Sequence, residues 1–336
     1  MSTDTPSSST PTELPAVTRR KLRDLFSREE IVQLTTRSDW RGAWALLSVW
    51  AVIAATFAVL ARWPQPLTFL LAVIVLGGRQ LALAILAHEA AHRTLFKTQV
   101  LNDTVADWFC ARLIWNDVPR YREHHFRHHS YTGSERDPDM SLVTPLPVTR
   151  HSLAKKFLRD LTGQTGLRRI AAQFLMDIGV FKYTVAAEVE RQPRDGRRWH
   201  HYLREGVVNM TPMLLANAAL FALLSTCGIG WTFSAWVAAY LTTFSLFIRV
   251  RSMAEHACTE RSADMFRNTR TTRAGWIARM TVAPLYVNFH IEHHAMASVP
   301  YYRLPQLHRL LRERGAVAAS PGYLDVLRLV STPAAG

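Results

Sequence analysis

Histidine is the residue type whose placement in this chain points to chemistry. Of fourteen histidines, nine fall into four groups: His88 and His92 in HEAAH, His125, His128 and His129 in HFRHH, His290, His293 and His294 in HIEHH, and the isolated His256. An α-helix turns every ~3.6 residues, so positions i, i+3 and i+4 share a face, and each group should aim its imidazoles at one point. Imidazole is a frequent ligand of zinc, copper, iron and nickel, so the residues alone do not choose the metal. One tetrahedral zinc takes about four ligands, and a ninefold set therefore predicts two metals with four or five nitrogens each. All of these ligands are neutral. Metal-bound imidazoles commonly donate their second N–H to a carboxylate or carbonyl, and Glu89, Glu123, Asp137, Asp139, Glu255 and Glu292 stand beside the groups as candidate acceptors.

The other histidines carry less. His124 offers an alternative register with His128, although His125-x-x-His128-His129 matches the third group better. His151, His200, His201 and His308 have no partner spacing and are expected at the surface. HEAAH also fits the zinc metalloprotease pattern, with Glu89 as general base, which makes an intramembrane protease the competing reading. That reading uses His88 and His92, needs a third ligand, and leaves both HxxHH groups without a role. The soluble di-iron pattern needs paired Glu-x-x-His motifs, and Glu89-x-x-His92 is the sole instance within the constellation. Cys110, Cys227 and Cys258 are far apart and form no CxxC pair, which argues against a disulfide framework and against a thiolate metal site.

Long apolar runs must position these groups. Gly42 to Ala61 is a stretch of 20 residues without a charge, and Leu67 to Ala87 is interrupted only by Arg79. Gly206 to Ile248 holds 43 residues without a charge, divided by Gly228-Ile-Gly230. Crossing a ~30 Å hydrocarbon layer takes about 20 helical residues, so the expectation is four spans, near 42–61, 67–87, 206–227 and 231–248, paired as two helical hairpins. The histidines lie at or beyond one end of these spans. Residues 1–18, rich in Ser, Thr and Pro, read as a disordered tail; residues 19–320 form the membrane domain, and 321–336 a C-terminal tail.

The chain carries 40 Lys and Arg and a formal net charge of +14. With both hairpins inserted from one side, Arg62 is the only base on the far turns and Arg79 lies within a span. The other 38 bases fall on the histidine side, so the positive-inside rule places both termini and the histidine groups in the cytoplasm. Basic runs such as Arg194-Asp-Gly-Arg-Arg198 are then a solvated face near lipid headgroups, and the charge calls for no nucleic acid. Arg79 stands nine residues before His88, roughly 180° around the helix, and should face away from the metals. The reading preferred for it is an interhelical hydrogen bond to polar groups such as Thr242 or Asn217, over a substrate carboxylate anchor.

Over roughly residues 40–315 the chain resembles the membrane fatty acid desaturases. The resemblance is carried by the three histidine boxes, by Asp137-Pro-Asp139, by Asn288-Phe-His290-Ile-Glu-His-His294 and by Val299-Pro-Tyr-Tyr-Arg-Leu-Pro-Gln-Leu-His308. It implies an all-α integral membrane protein with a cytoplasmic, helical, histidine-rich cap. It also implies two irons held by the nine histidines, O2 as co-substrate, and an acyl chain in a tunnel between the spans. The first box has three residues between its histidines, as in acyl-lipid desaturases and carotenoid hydroxylases; animal acyl-CoA desaturases have four. The third box begins with His290 rather than Gln, and no HPGG of a fused cytochrome b5 is present, so electrons are expected from a separate ferredoxin, rubredoxin or cytochrome b5 type of protein. The scaffold also resembles hydroxylases and fatty-acid decarboxylases that form terminal alkenes. The acyl group could be lipid-linked, a thioester or a free acid. In a bacterium the location implied is the inner membrane.

Overall fold

Ser27 and Glu30 close a capping box that starts α1 (Arg28–Thr35), and Ser38 caps α2 (Asp39–Arg62). The computed structural model describes residues 24–332, and the expected 1–18 tail lies outside the described residues. Proline stops one long helix and starts the next: α2 gives way at Trp63-Pro64, and α3 (Pro66–Ala91) begins on Pro66. Two π-helical turns and a 3-10 turn between Leu101 and Ile114 lead to α4 (Val118–Tyr131), capped by Asp117. Then come α5 (Met140–Val143), β1 (Val148–Thr149), α6 (Arg150–Leu161), α7 (Gln164–Asp177) and α8 (Trp199–Thr226). The remainder is α9 (Phe233–Leu241), α10 (Thr243–His256), α11 (Trp276–Met280), α12 (His290–Ala295), α13 (Leu304–Glu313), α14 (Tyr323–Leu329) and β2 (Ser331–Thr332).

Among the described residues, four helical stretches are long and apolar enough to cross a membrane: Asp39–Arg62, Pro66–Ala91, Trp199–Thr226 and Gly230–His256. The second, third and fourth outrun the charge-free segments at the histidine end. A charge-free run marks only the part that suits hydrocarbon, and the helix continues until its hydrogen bonding stops. Outward faces carry exposed Leu47, Leu70, Leu215 and Leu223, side chains suited to lipid rather than to water.

Helix α3 is the centre of the assembly and packs against α2, α4, α9 and α10. Two glycines allow its closest contacts. A Cβ on Gly77 would lie 2.1 Å from Thr243 Oγ1, and one on Gly78 would lie 2.1 Å from the Met280 carbonyl oxygen. Arg79 completes this contact. Its Nη2 donates to the carbonyls of Met280 (2.9 Å) and Arg279 (3.4 Å), at the C-terminal end of α11. The expected partners do not serve it: Asn217 donates to carbonyls of Arg112 and Met213, and the Thr242 hydroxyl returns to Ala238 in its own helix. Free carbonyls at a helix end are stronger acceptors for a buried guanidinium than a side chain with another partner.

The fourth span is broken, where the sequence suggested one helix over 231–248. Thr242 adopts φ −112°, ψ −86°, separating α9 from α10. Gly166 of α7 fits against the break, where a Cβ would lie 2.3 Å from the Leu241 carbonyl oxygen, and Arg169 Nη2 donates to the freed Tyr240 carbonyl at 2.8 Å. Broken helices persist at such depth when the freed backbone groups find partners.

Residues 321–332, set apart in the sequence as part of a tail, fold back onto the molecule. Val326 and Val330, one helical turn apart, are buried with Leu153, Met253 and Ala254, and β2 pairs in parallel with β1.

Candidate metal centre

The end of α3 presents His88 and His92, whose ring centroids are 5.0 Å apart. Helix α4 presents His125, His128 and His129, α12 presents His290, His293 and His294, and His256 is the last residue of α10. All nine converge. They form a group of five (His88, His92, His125, His129, His293) and a group of four (His128, His256, His290, His294), with ligand atoms inside each group within 4.8 Å of one another.

His88 and His92 share one centre as the shared-face argument suggested, but neither triplet aims at a single point. His125 and His129 turn to the group of five and His128 to the group of four, while His293 parts from His290 and His294. Positions i+3 and i+4 differ by ~100° around the helix, so a triplet sits astride two neighbouring centres and serves both. The centres adjoin, and the rings of His129 and His294 stack across the boundary with centroids 4.2 Å apart.

The contacts inside the groups favour a cation. His129 Nε2 lies 3.0 Å from both His125 Nε2 and His293 Nε2, and His290 Nε2 lies 2.8 Å from His256 Nε2. One ring nitrogen carries at most one proton, so His129 Nε2 cannot bridge to both neighbours and be donor to each. Buried ring nitrogens of His88, His92, His290 and His294 have no hydrogen-bond partner. Lone pairs crowded in this way repel unless a positive ion lies among them, and the donor set fits two transition-metal ions.

Burial keeps the rings neutral and their lone pairs available. It lowers His92 to about 3 and holds His125, His129, His290, His293 and His294 well below the ordinary range, with neighbouring imidazoles adding to the effect. His128 differs. Burial pulls it down, but the hydrogen bond with Asp137 and the charges of Asp139, Asp137 and Glu255 outweigh burial and raise it.

The candidate acids fall into distinct places. Asp137 Oδ1 sits 2.8 Å from His128 Nδ1, the direct contact expected of a ligand's orienting partner. Asp139 bonds His124 Nε2 at 2.8 Å and lies 3.7 Å from His128 Nδ1. Burial raises the Asp139 carboxyl, and the hydrogen bond with His124 and the charges of the nearby histidines overcome it, holding the group down at about 2. Glu255 approaches His290 Nδ1 at 3.6 Å while accepting from Arg251 Nε at 2.8 Å. Glu89 lies 3.4 Å from His88 Nδ1 and accepts from Thr94 Oγ1 (2.9 Å) and the Tyr301 amide (3.0 Å). Glu292 turns from the metals' side to Thr271 Oγ1 at 2.5 Å and His308 Nδ1 at 2.6 Å. Glu123 is exposed.

His308 is therefore a partner of Glu292 rather than a plain surface residue, and His124 is buried against Asp139, outside both groups. His151, His200 and His201 are exposed. Two positioning residues carry no sequence signal. Arg122 donates to the carbonyls of Ala90 and Ala91, tying α4 to the end of α3. Thr271 receives the Ile291 amide at 3.1 Å and fixes the start of the third box.

The described residues are mostly helical and carry four candidate membrane spans and two adjoining histidine clusters that could each hold a metal. The chain belongs to the fatty acid desaturase family, whose family model matches residues 64–323. Among curated proteins it is similar to dihydrorhizobitoxine desaturase of Bradyrhizobium elkanii, with 27% identity over 310 residues covering 90% of this chain and 82% of that protein.

Proposed function

We propose that the protein is a di-iron enzyme that uses O2 to remove hydrogen from a fatty acyl chain and introduce a C=C double bond. The observation that carries this is the convergence of nine imidazoles into adjoining groups of five and four at the ends of apolar helices. Family membership supports iron and an acyl substrate. The relative's name joins desaturation to dihydrorhizobitoxine, so it supports the reaction type and not the substrate.

His88, His92, His125, His129 and His293 would hold one iron, and His128, His256, His290 and His294 the other. Iron with O2 supplies the oxidising power that an unactivated methylene demands and that no side-chain acid or base has. The chain's own residues prepare the site. Burial keeps the imidazoles outside the spans, His128 excepted, unprotonated, and Asp137 holds His128 by Nδ1 so that Nε2 is left for the metal. Glu89 fastens the first box to the segment after the third through the Tyr301 amide. That role, together with the other imidazoles around His88 and His92, disfavours the HExxH protease reading.

Electrons come from a separate ferredoxin, rubredoxin or cytochrome b5 type of donor. The spans form two hairpins, and both termini and the histidine cap face the cytoplasm, as the distribution of Lys and Arg requires. Product analysis by mass spectrometry, after feeding acyl chains to cells that express the protein, tests the reading. Products lighter by a pair of hydrogens, formed only with O2, are expected. Hydroxylated products would replace desaturation by hydroxylation, and peptide cleavage without a reductant, lost in Glu89→Gln, would replace the oxidase by the protease.

A further inference from the structure

A cavity of ≈100 Å³ lies beside the group of four. Two of its walls belong to that group's own structure. His256, whose Nε2 is 2.8 Å from His290 Nε2, lines it, and so does Asp137, the partner of His128 Nδ1 at 2.8 Å. Within the group, His128, His290 and His294 are buried and His256 is half-buried. The accessible member of the group of four is therefore the histidine that borders the cavity. Cys258, Glu260 and Arg261 also line the cavity and are exposed, so the space runs from His256 to the protein surface.

Asn268 marks what fills the space. It lines the cavity from the loop after α10 and is only 3% exposed. Its Nδ2 donates to the carbonyls of Thr132 (3.0 Å) and Ser262 (2.9 Å). Those bonds fix the orientation of the amide, since the reversed group would set its oxygen against two carbonyl oxygens. The remaining atom, Oδ1, is buried and accepts no hydrogen bond among the described residues. A buried acceptor is costly unless a donor reaches it. The cavity has room for a few water molecules, at ~30 Å³ each in the liquid, and Asn268 Oδ1 gives them a polar anchor.

We infer that this cavity is the water port of the group of four: water held on Asn268 Oδ1 fills it, and water passes through it between the metal site and the solvent. The proposed reaction creates the need. Removing two hydrogens from an acyl chain with O2 forms two waters and takes up two electrons and two protons, the electrons from the donor protein and the protons from solvent. Those waters form among buried imidazoles, and leaving through the apolar spans would strip them of hydrogen bonds. A polar passage at the half-buried ligand lets them out, and the apolar side is left to the acyl chain. This inference rests on the acyl-oxidation reading above.

The test uses the full-length, iron-loaded protein in detergent and follows the access of azide to ferric iron by its optical charge-transfer band. A Cys227→Ser background leaves Cys258 as the exposed thiol, since Cys110 is buried. A benzyl methanethiosulfonate adduct on Cys258 closes the mouth of the cavity, a methyl adduct leaves it open, and a phosphine releases either one. With the mouth closed, solutes enter only by local opening of the protein, so the benzyl adduct should slow azide association about tenfold or more. Its release should restore the rate. Met140→Trp, which fills the cavity from α5, should slow azide in the same way with iron content unchanged. Equal slowing by the methyl and benzyl adducts would overturn the port, because size would then not matter. Unchanged azide rates with the benzyl adduct and in Met140→Trp would overturn it as well, and normal double-bond formation in the same samples would leave the acyl-oxidation reading standing. Slowing that follows the benzyl adduct, in protein that oxidises no acyl chain, would uphold the port and remove that reading.

Discussion

His128 shows how one residue is tuned inside the centre. Its neighbours outside the spans are held neutral by burial and by the imidazoles around them, while His128 faces two aspartates that raise its affinity for a proton and orient it through Nδ1. Removing the orienting charge should therefore loosen the metal bound by the group of four. Asp137→Asn is expected to weaken metal retention ~10–100-fold against a competing chelator, and Glu123→Gln, at an exposed position, to leave it unchanged. His256 makes a sharper case, since it faces His290 Nε2 at 2.8 Å and completes the group of four. His256→Ala should stay folded in detergent, bind less iron than the parent and lose turnover; full iron with normal activity would remove His256 from the site. The three boxes were legible because i, i+3, i+4 spacing is local. The sharing of each triplet between two centres, and the Glu292–His308 pair, were not, because they depend on how α4 and α12 meet, and no local period records that.

At the scale of elements, α3 carries the first box and sets the positions of the rest. Gly77, Gly78 and Arg79 let α10 and the end of α11 lie against it far closer than side chains would permit. A methyl group on Gly78 would press on backbone rather than on a flexible side chain. Gly78→Ala should destabilise the protein by about 1–3 kcal/mol, the usual range for overpacking, read as a lower Tm in detergent. Arg79→Leu leaves the carbonyls of Arg279 and Met280 without their donor, and the expected loss is again about 1–3 kcal/mol. Unchanged Tm values in both variants would mean that the 276–287 segment is held elsewhere. The long apolar runs were readable from length and charge. The break at Thr242 was not, because the groups that accommodate it, Gly166 and Arg169, come from a distant helix whose sequence gives no sign of the contact.

At the scale of the molecule, a shared centre requires that the ends of the helices bearing histidine face one compartment. Reporter fusions near residues 64 and 229 should lie outside, and those near 150 and 330 inside, as the 38 bases on the histidine side demand. A cytoplasmic signal at 229 would undo the second hairpin. The apolar pattern was enough to anticipate four long apolar helices, because it is a bulk property of the chain. The docking of α14 and β2 onto α6, α10 and β1 rests on a handful of buried valines and a short ladder, too little for a pattern to show. The nine imidazoles are proposed to form one centre with a metal in each group. Iron and zinc determination on the purified protein, together with His129→Ala and His256→Ala, addresses it directly. About two irons per chain are expected in the parent, with each variant losing about one, since the two residues belong to different groups. One zinc per chain, or iron content unchanged by both substitutions, would contradict it.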